Sequence, residues 1–118
     1  MQEILALSRL AAQEFTSLSP WAAIQITNLD AEWPQLSSAQ RVAVVQFRFP
    51  DRHSTDTEFR QDELFSKLQA QQIVDFVEAH SSRIDRLMVH CEQGTSRSTA
   101  VAAALTRIFL PGEDCGLV

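Results

Sequence analysis

The sequence predicts an α/β domain with a mainly parallel central sheet flanked by helices. Strand-like apolar runs alternate with helix-like stretches along the chain. A composition of 45% hydrophobic and 21% charged residues falls in the ordinary globular range. At 118 residues the chain has room for one domain, spanning residues 1–118, with a modest core.

Ile4 to Leu7 is a short apolar run suited to an opening strand, and Ser8 to Phe15 has a helix-like mix. Trp21 to Thr27 is apolar, carries Ile24 and Ile26, and ends at Asn28, where the chain turns. A loop with Pro34 follows, and its Trp33 is a candidate substrate wall or a ring folded onto the domain edge. Val42 to Phe47 is the strongest strand signal. From Leu64 to about His80, Phe65, Leu68, Ile73, Phe76 and Val77 approximate one helical face. Arg86 to His90 is the next strand, and Arg97 to Leu110 is an alanine-rich helix halted by Pro111-Gly112.

Chemistry concentrates between those last two elements, in His90-Cys91-Glu92-Gln93-Gly94-Thr95-Ser96-Arg97-Ser98. Cysteine attacks as thiolate, and an ordinary thiol, with a pKa of about 8.5, is mostly protonated at neutral pH, so a nucleophilic Cys91 needs local positive potential. If Glu92 to Arg97 wrap toward the following helix, their N–H groups converge at its positive end. Gly94 permits a close-approach conformation there. The planar fork of Arg97 suits two oxygens of a tetrahedral dianion such as phosphate. Ser98 is placed to donate its hydroxyl to the sulfur, and His90 to order the loop rather than act as a base.

His90-Cys91-x5-Arg97-Ser98 resembles the signature of cysteine-dependent protein tyrosine phosphatases. The flanking Val89 and Ala100-Val101-Ala102-Ala103 look like the dual-specificity branch. The likeness covers about fifteen residues. It implies a two-step reaction in which Cys91 takes the phosphoryl group, an aspartic acid protonates the leaving oxygen, and water releases phosphate. Catalytic residues would be Cys91, Arg97, Ser98 and the acid. Glu92, Gln93, Gly94, Thr95, Ser96 and Arg97 would cradle the phosphate, with His90 in support. No metal or cofactor is implied.

In phosphatases of this type the acid lies upstream, after a neighbouring strand. Asp51 fits first, because it follows the Val42 to Phe49 run and Pro50 stiffens the turn. Asp56 is the second candidate, and Asp62 resembles a helix N-cap. An Asp in such a polar loop is also a common solvated turn residue. His53 receives no role. Arg48 and Arg52 either attract a substrate phosphate or form a solvated surface.

A net charge of -5 and the lack of a basic patch argue against a nucleic-acid partner. No apolar run approaches the roughly twenty residues that span a bilayer, so no membrane partner is expected. Met1-Gln2-Glu3-Ile4 lacks the basic start of a secretory signal, which makes the expected location cytoplasmic. Cys91 and Cys115 do not form a disulfide scaffold; Cys115 reads as a bystander, or as a protective partner for Cys91 under oxidation. Related catalytic domains continue with further helices after the loop helix, whereas here only Pro111 to Val118 remains. A minimal domain, a truncated chain or a homodimer would each account for that.

The loop interior has no lysine, and Glu92 disfavours crowded anions such as polyphosphorylated inositol lipids. The expected substrate is a phosphorylated protein or small phosphomonoester, foremost protein phosphotyrosine, with or without phosphoserine and phosphothreonine. The main rival is a pseudophosphatase that binds phosphorylated partners without turnover. Arsenate reductases and sulfurtransferases that share a Cys-x5-Arg loop form a second rival class.

Overall fold

The computed structural model describes residues 1–28, 31–48, 67–92 and 97–111. In chain order these form β1 (Glu3–Ser8), α1 (Arg9–Glu14), β2 (Trp21–Thr27), β3 (Arg41–Arg48), α2 (Lys67–His80), a 3₁₀ turn (Ser81–Arg83), β4 (Arg86–Cys91) and α3 (Arg97–Phe109). The strands make one sheet in the order β1-β4-β2-β3. Every pairing is parallel, so among the described strands the expected mainly parallel sheet is wholly so.

Strand position explains composition. β2 is buried at every residue and β4 at all but its first, which is why both read as nearly unbroken apolar runs. β1 and β3 lie at the edges and are only partly covered. Parallel neighbours need crossovers, and right-handed crossovers running in opposite directions along a sheet place their helices on opposite faces. The connection from β1 to β2 and that from β3 to β4 run in such opposite directions.

Two cores result. On one face Ile24, Ile26, Leu87, Val89 and Cys91 pack with Ile73 and Val77 of α2 and with Ala102 and Leu105 of α3. On the other, Trp21, Ala23 and Met88 pack with Ala12 of α1 and with Leu36 from the segment before β3. The Trp21 indole N–H donates to the Ala39 carbonyl at 2.8 Å, so this buried ring also anchors the segment that returns to β3.

Most boundaries move by a residue or two. Ser8 closes β1 and also caps α1, its Oγ accepting from the Ala11 N–H at 3.1 Å. β4 runs one residue further than expected and includes Cys91. The helical face proposed for 64–80 needs correction. Ile73 and Val77 are buried and Phe76 packs on the core, but Leu68 is 68% exposed. Five residues turn a helix by about 140° at 3.6 residues per turn, which carries Leu68 away from the face that holds Ile73. Phe65 lies outside the described residues. Among the described residues, no helix is long and apolar enough to cross a membrane.

Candidate active site

All four strands point the same way, so Ser8, Thr27, Arg48 and Cys91, each the last residue of its strand, deliver the following segments to one edge of the sheet. Ligands in parallel α/β sheets collect there, where neighbouring strands send their connections to opposite faces. β4 is such a strand. Its helix α3 packs on one face, while α1 after β1 and Leu36 after β2 pack on the other.

Cys91 projects beneath α3 and is 1% exposed. Its Sγ lies 3.2 Å from Ser98 Oγ and accepts the Ser98 backbone N–H at 3.4 Å. Ser98 is the second residue of α3, so this N–H is one of those a helix start leaves without an intrahelical acceptor. The helix therefore turns its positive end toward the sulfur. Arg97 opens α3, and its Nη1 donates to Asn28 Oδ1 at 2.9 Å, just beyond β2.

The opposite side of β4 carries two polar rungs above the apolar core. Gln25 of β2 is in register with His90 of β4 and with Gln46 of β3. Gln46 Nε2 donates to Gln25 Oε1 at 2.9 Å, and Gln25 Nε2 lies 3.1 Å from His90 Nε2. Burial pushes the His90 pKa down to about 4; the Cys91 backbone opposes this more weakly, and the nearby charges act less again, Arg9 lowering it and Glu92 raising it. The imidazole is accordingly neutral at neutral pH.

In the next rung the Glu92 carboxylate accepts from Arg9 Nη1 at 3.3 Å and from the Thr27 hydroxyl. The Arg9 backbone N–H also donates to the Glu92 carbonyl at 3.2 Å, fastening the start of α1 to the residue after Cys91. The charge of Glu92 is thus offset by Arg9. Nearby, the Arg48 guanidinium stacks 4.6 Å from the Trp33 ring centre and donates to the Asn28 and Ala31 carbonyls. Trp33 is therefore half-buried against the strand edge.

Of the residues singled out in the sequence, Cys91 and Ser98 meet directly, Arg97 stands at the head of the same helix, and His90 is buried in β4 beside Gln25. Gln93, Gly94, Thr95 and Ser96 lie outside the described residues, as do Asp51, Arg52, His53, Asp56, Asp62 and Cys115. Sequence reasoning missed Arg9, Gln25, Thr27, Asn28 and Gln46. Gln25 did carry a signal, because a lone amide between Ile24 and Ile26 in a buried strand must find a partner. Comparison with family models, with curated proteins and with solved structures returns no match for this chain.

Proposed function

We propose that the chain is a cysteine-dependent phosphatase acting on phosphomonoesters, foremost protein phosphotyrosine. The observation that carries the reading is the Cys91 sulfur at the N-terminus of α3, accepting the Ser98 N–H, with Arg97 at the head of that helix and the intervening residues spaced as Cys-x5-Arg. A helix N-terminus favours thiolate over thiol and binds anions.

The reaction runs in two displacements. The Cys91 thiolate attacks phosphorus, an S–P bond forms, and the bond to the ester oxygen breaks as Asp51 gives that oxygen its proton. Water then attacks the phosphocysteine, Asp51 takes a proton from it, and thiolate and inorganic phosphate are released. Arg97 and the loop N–H groups hold the equatorial oxygens, since phosphoryl transfer depends chiefly on positioning and charge stabilisation. Ser98 steadies the sulfur as nucleophile and leaving group. No metal or cofactor enters this scheme.

The test is hydrolysis of an aryl phosphate by the purified chain, with vanadate as inhibitor and Cys91→Ser as control. Vanadate-sensitive turnover that vanishes in Cys91→Ser supports the reading. Tight vanadate or phosphate binding without turnover would replace it with a phosphate-binding module. Arsenate reduction or thiosulfate transfer would redirect it to the other Cys-x5-Arg chemistries.

A further inference from the structure

Beside Cys91 on β4, three side chains in register on three strands form one amide and imidazole line, buried at His90 and Gln25 and exposed at Gln46. Gln25 has an orientation fixed by its surroundings. Its Nε2 faces the Pro34 carbonyl at 3.5 Å, and its Oε1 accepts from Gln46 Nε2 at 2.9 Å. Turning the amide over would set Oε1 against the Pro34 oxygen, an acceptor against an acceptor. Gln25 Nε2 therefore donates its other hydrogen to His90 Nε2, 3.1 Å away, and that ring nitrogen must offer a lone pair. A neutral imidazole with a bare Nε2 carries its proton on Nδ1. His90 is 1% exposed, and its Nδ1 is buried with no hydrogen-bond partner among the described residues.

We propose that Gln25 and Gln46 are positioning residues that lock His90 in the Nδ1–H tautomer, so that this proton is presented to the Cys91 backbone where β4 gives way to the loop. A buried donor left without an acceptor is costly, so an Nδ1–H held there favours a conformation that brings a carbonyl to it. The Cys91 backbone, at the peptide from which the sulfur projects, is the backbone group that acts on this ring, favouring its protonated form against the effect of burial. The relay thus couples an amide on the exposed edge strand to the direction of the Cys91 peptide. The charged groups acting on the ring, Arg9 and Glu92, pair with each other and leave the tautomer to the amides.

The consequence for turnover rests on the phosphatase reading; the tautomer does not. Ring-nitrogen NMR of the full labelled chain at neutral pH reads it directly, with His90 expected to show a protonated Nδ1 and a bare Nε2. Gln25→Glu places an acceptor opposite Nε2 and is expected to draw the proton there. It should slow alkylation of Cys91 by iodoacetamide, followed on its own peptide, by about tenfold, the rate equivalent of one hydrogen bond. Gln46→Glu, on an exposed side chain that spares the fold, should move both readouts in the same direction but less. Aryl phosphate turnover should fall in kcat more than in KM. A wild-type His90 protonated at Nε2 would overturn the proposal, and so would a tautomer switch in Gln25→Glu that left Cys91 alkylation unchanged. A wild-type chain without vanadate-sensitive turnover would sink only the phosphatase reading, because tautomer and alkylation are read without it.

Discussion

At Cys91 the sulfur meets two groups of one residue, the Ser98 backbone N–H and hydroxyl, and the two have separable consequences. The N–H belongs to the helix and survives any side-chain change. Ser98→Ala therefore leaves the helix terminus in place and removes only the Oγ contact, which in the proposed reaction matters most when sulfur departs from phosphorus. Turnover should fall by roughly tenfold, with a burst of released aryl alcohol as phosphocysteine accumulates, measurable by stopped-flow absorbance. Cys91→Ser should abolish turnover but keep phosphate affinity, whereas Arg97→Lys should lose both, because an ammonium lacks the planar fork. Equilibrium phosphate titration alongside the rate assay distinguishes these outcomes. His90 sets a pH dependence of stability. Its folded pKa is lowered from 6.5 to about 4, so between those values the unfolded chain binds the proton and the folded chain does not. The stability is fully present above 6.5 and is lost as pH falls toward 4, by roughly 3 kcal/mol at about 1.4 kcal/mol per unit. Denaturant unfolding across that window should show wild type losing about that much more than His90→Asn, since the substitution removes the titrating ring.

The elements divide the candidate site between the two faces of β4. Cys91 faces α3, while His90 and Glu92, which flank it in sequence, take part in polar rungs on the side of α1. Alternation along a strand forces this division, because adjacent side chains point to opposite faces. The strands and helices themselves were legible, since β2 and β4 are buried on both faces and carry apolar runs that no exposed segment would need. The rungs were not. Gln25, Gln46 and His90 become neighbours only through the order β4-β2-β3, and Thr27 meets Glu92 only because β2 lies next to β4; neither adjacency is encoded in local periodicity. Leu68 escaped for the complementary reason, since a loose apolar pattern does not fix which residues share a face. The Arg9, Thr27 and Glu92 rung makes a quantitative statement. Thr27 is fully buried, and Glu92→Ala would leave its hydroxyl without that acceptor. The cost should be about 1–3 kcal/mol in chemical denaturation. Arg9→Ala should cost under about 1 kcal/mol, because the ion pair it breaks is partly solvated and Thr27 keeps its partner.

Over the whole molecule, the parallel sheet brings separate strand ends to one edge, and the proposed general acid belongs to a segment that leaves from that edge. The segment containing Asp51 leaves β3 at Arg48, and Arg48 reaches the Asn28 carbonyl while Asn28 Oδ1 accepts from Arg97. The exit of β3 is thus tied through Arg48, Asn28 and Arg97 to the head of α3, although β2 lies between β3 and β4. Asp51 and Asp56 themselves lie outside the described residues, so the choice between them falls to kinetics. An acid that protonates the leaving oxygen contributes in proportion to the basicity of that oxygen. Asp51→Asn should therefore slow a phenyl phosphate or phosphotyrosine peptide by about two to four orders of magnitude, yet barely slow an aryl phosphate whose phenolate leaves unaided. A plot of log kcat/KM against leaving-group pKa should steepen in Asp51→Asn and keep its wild-type slope in Asp56→Asn. The reverse pattern would move the acid to Asp56. Equal slopes in both variants and wild type would mean that neither aspartate delivers the proton, and the edge that brings β3 toward Cys91 would then serve binding rather than acid catalysis.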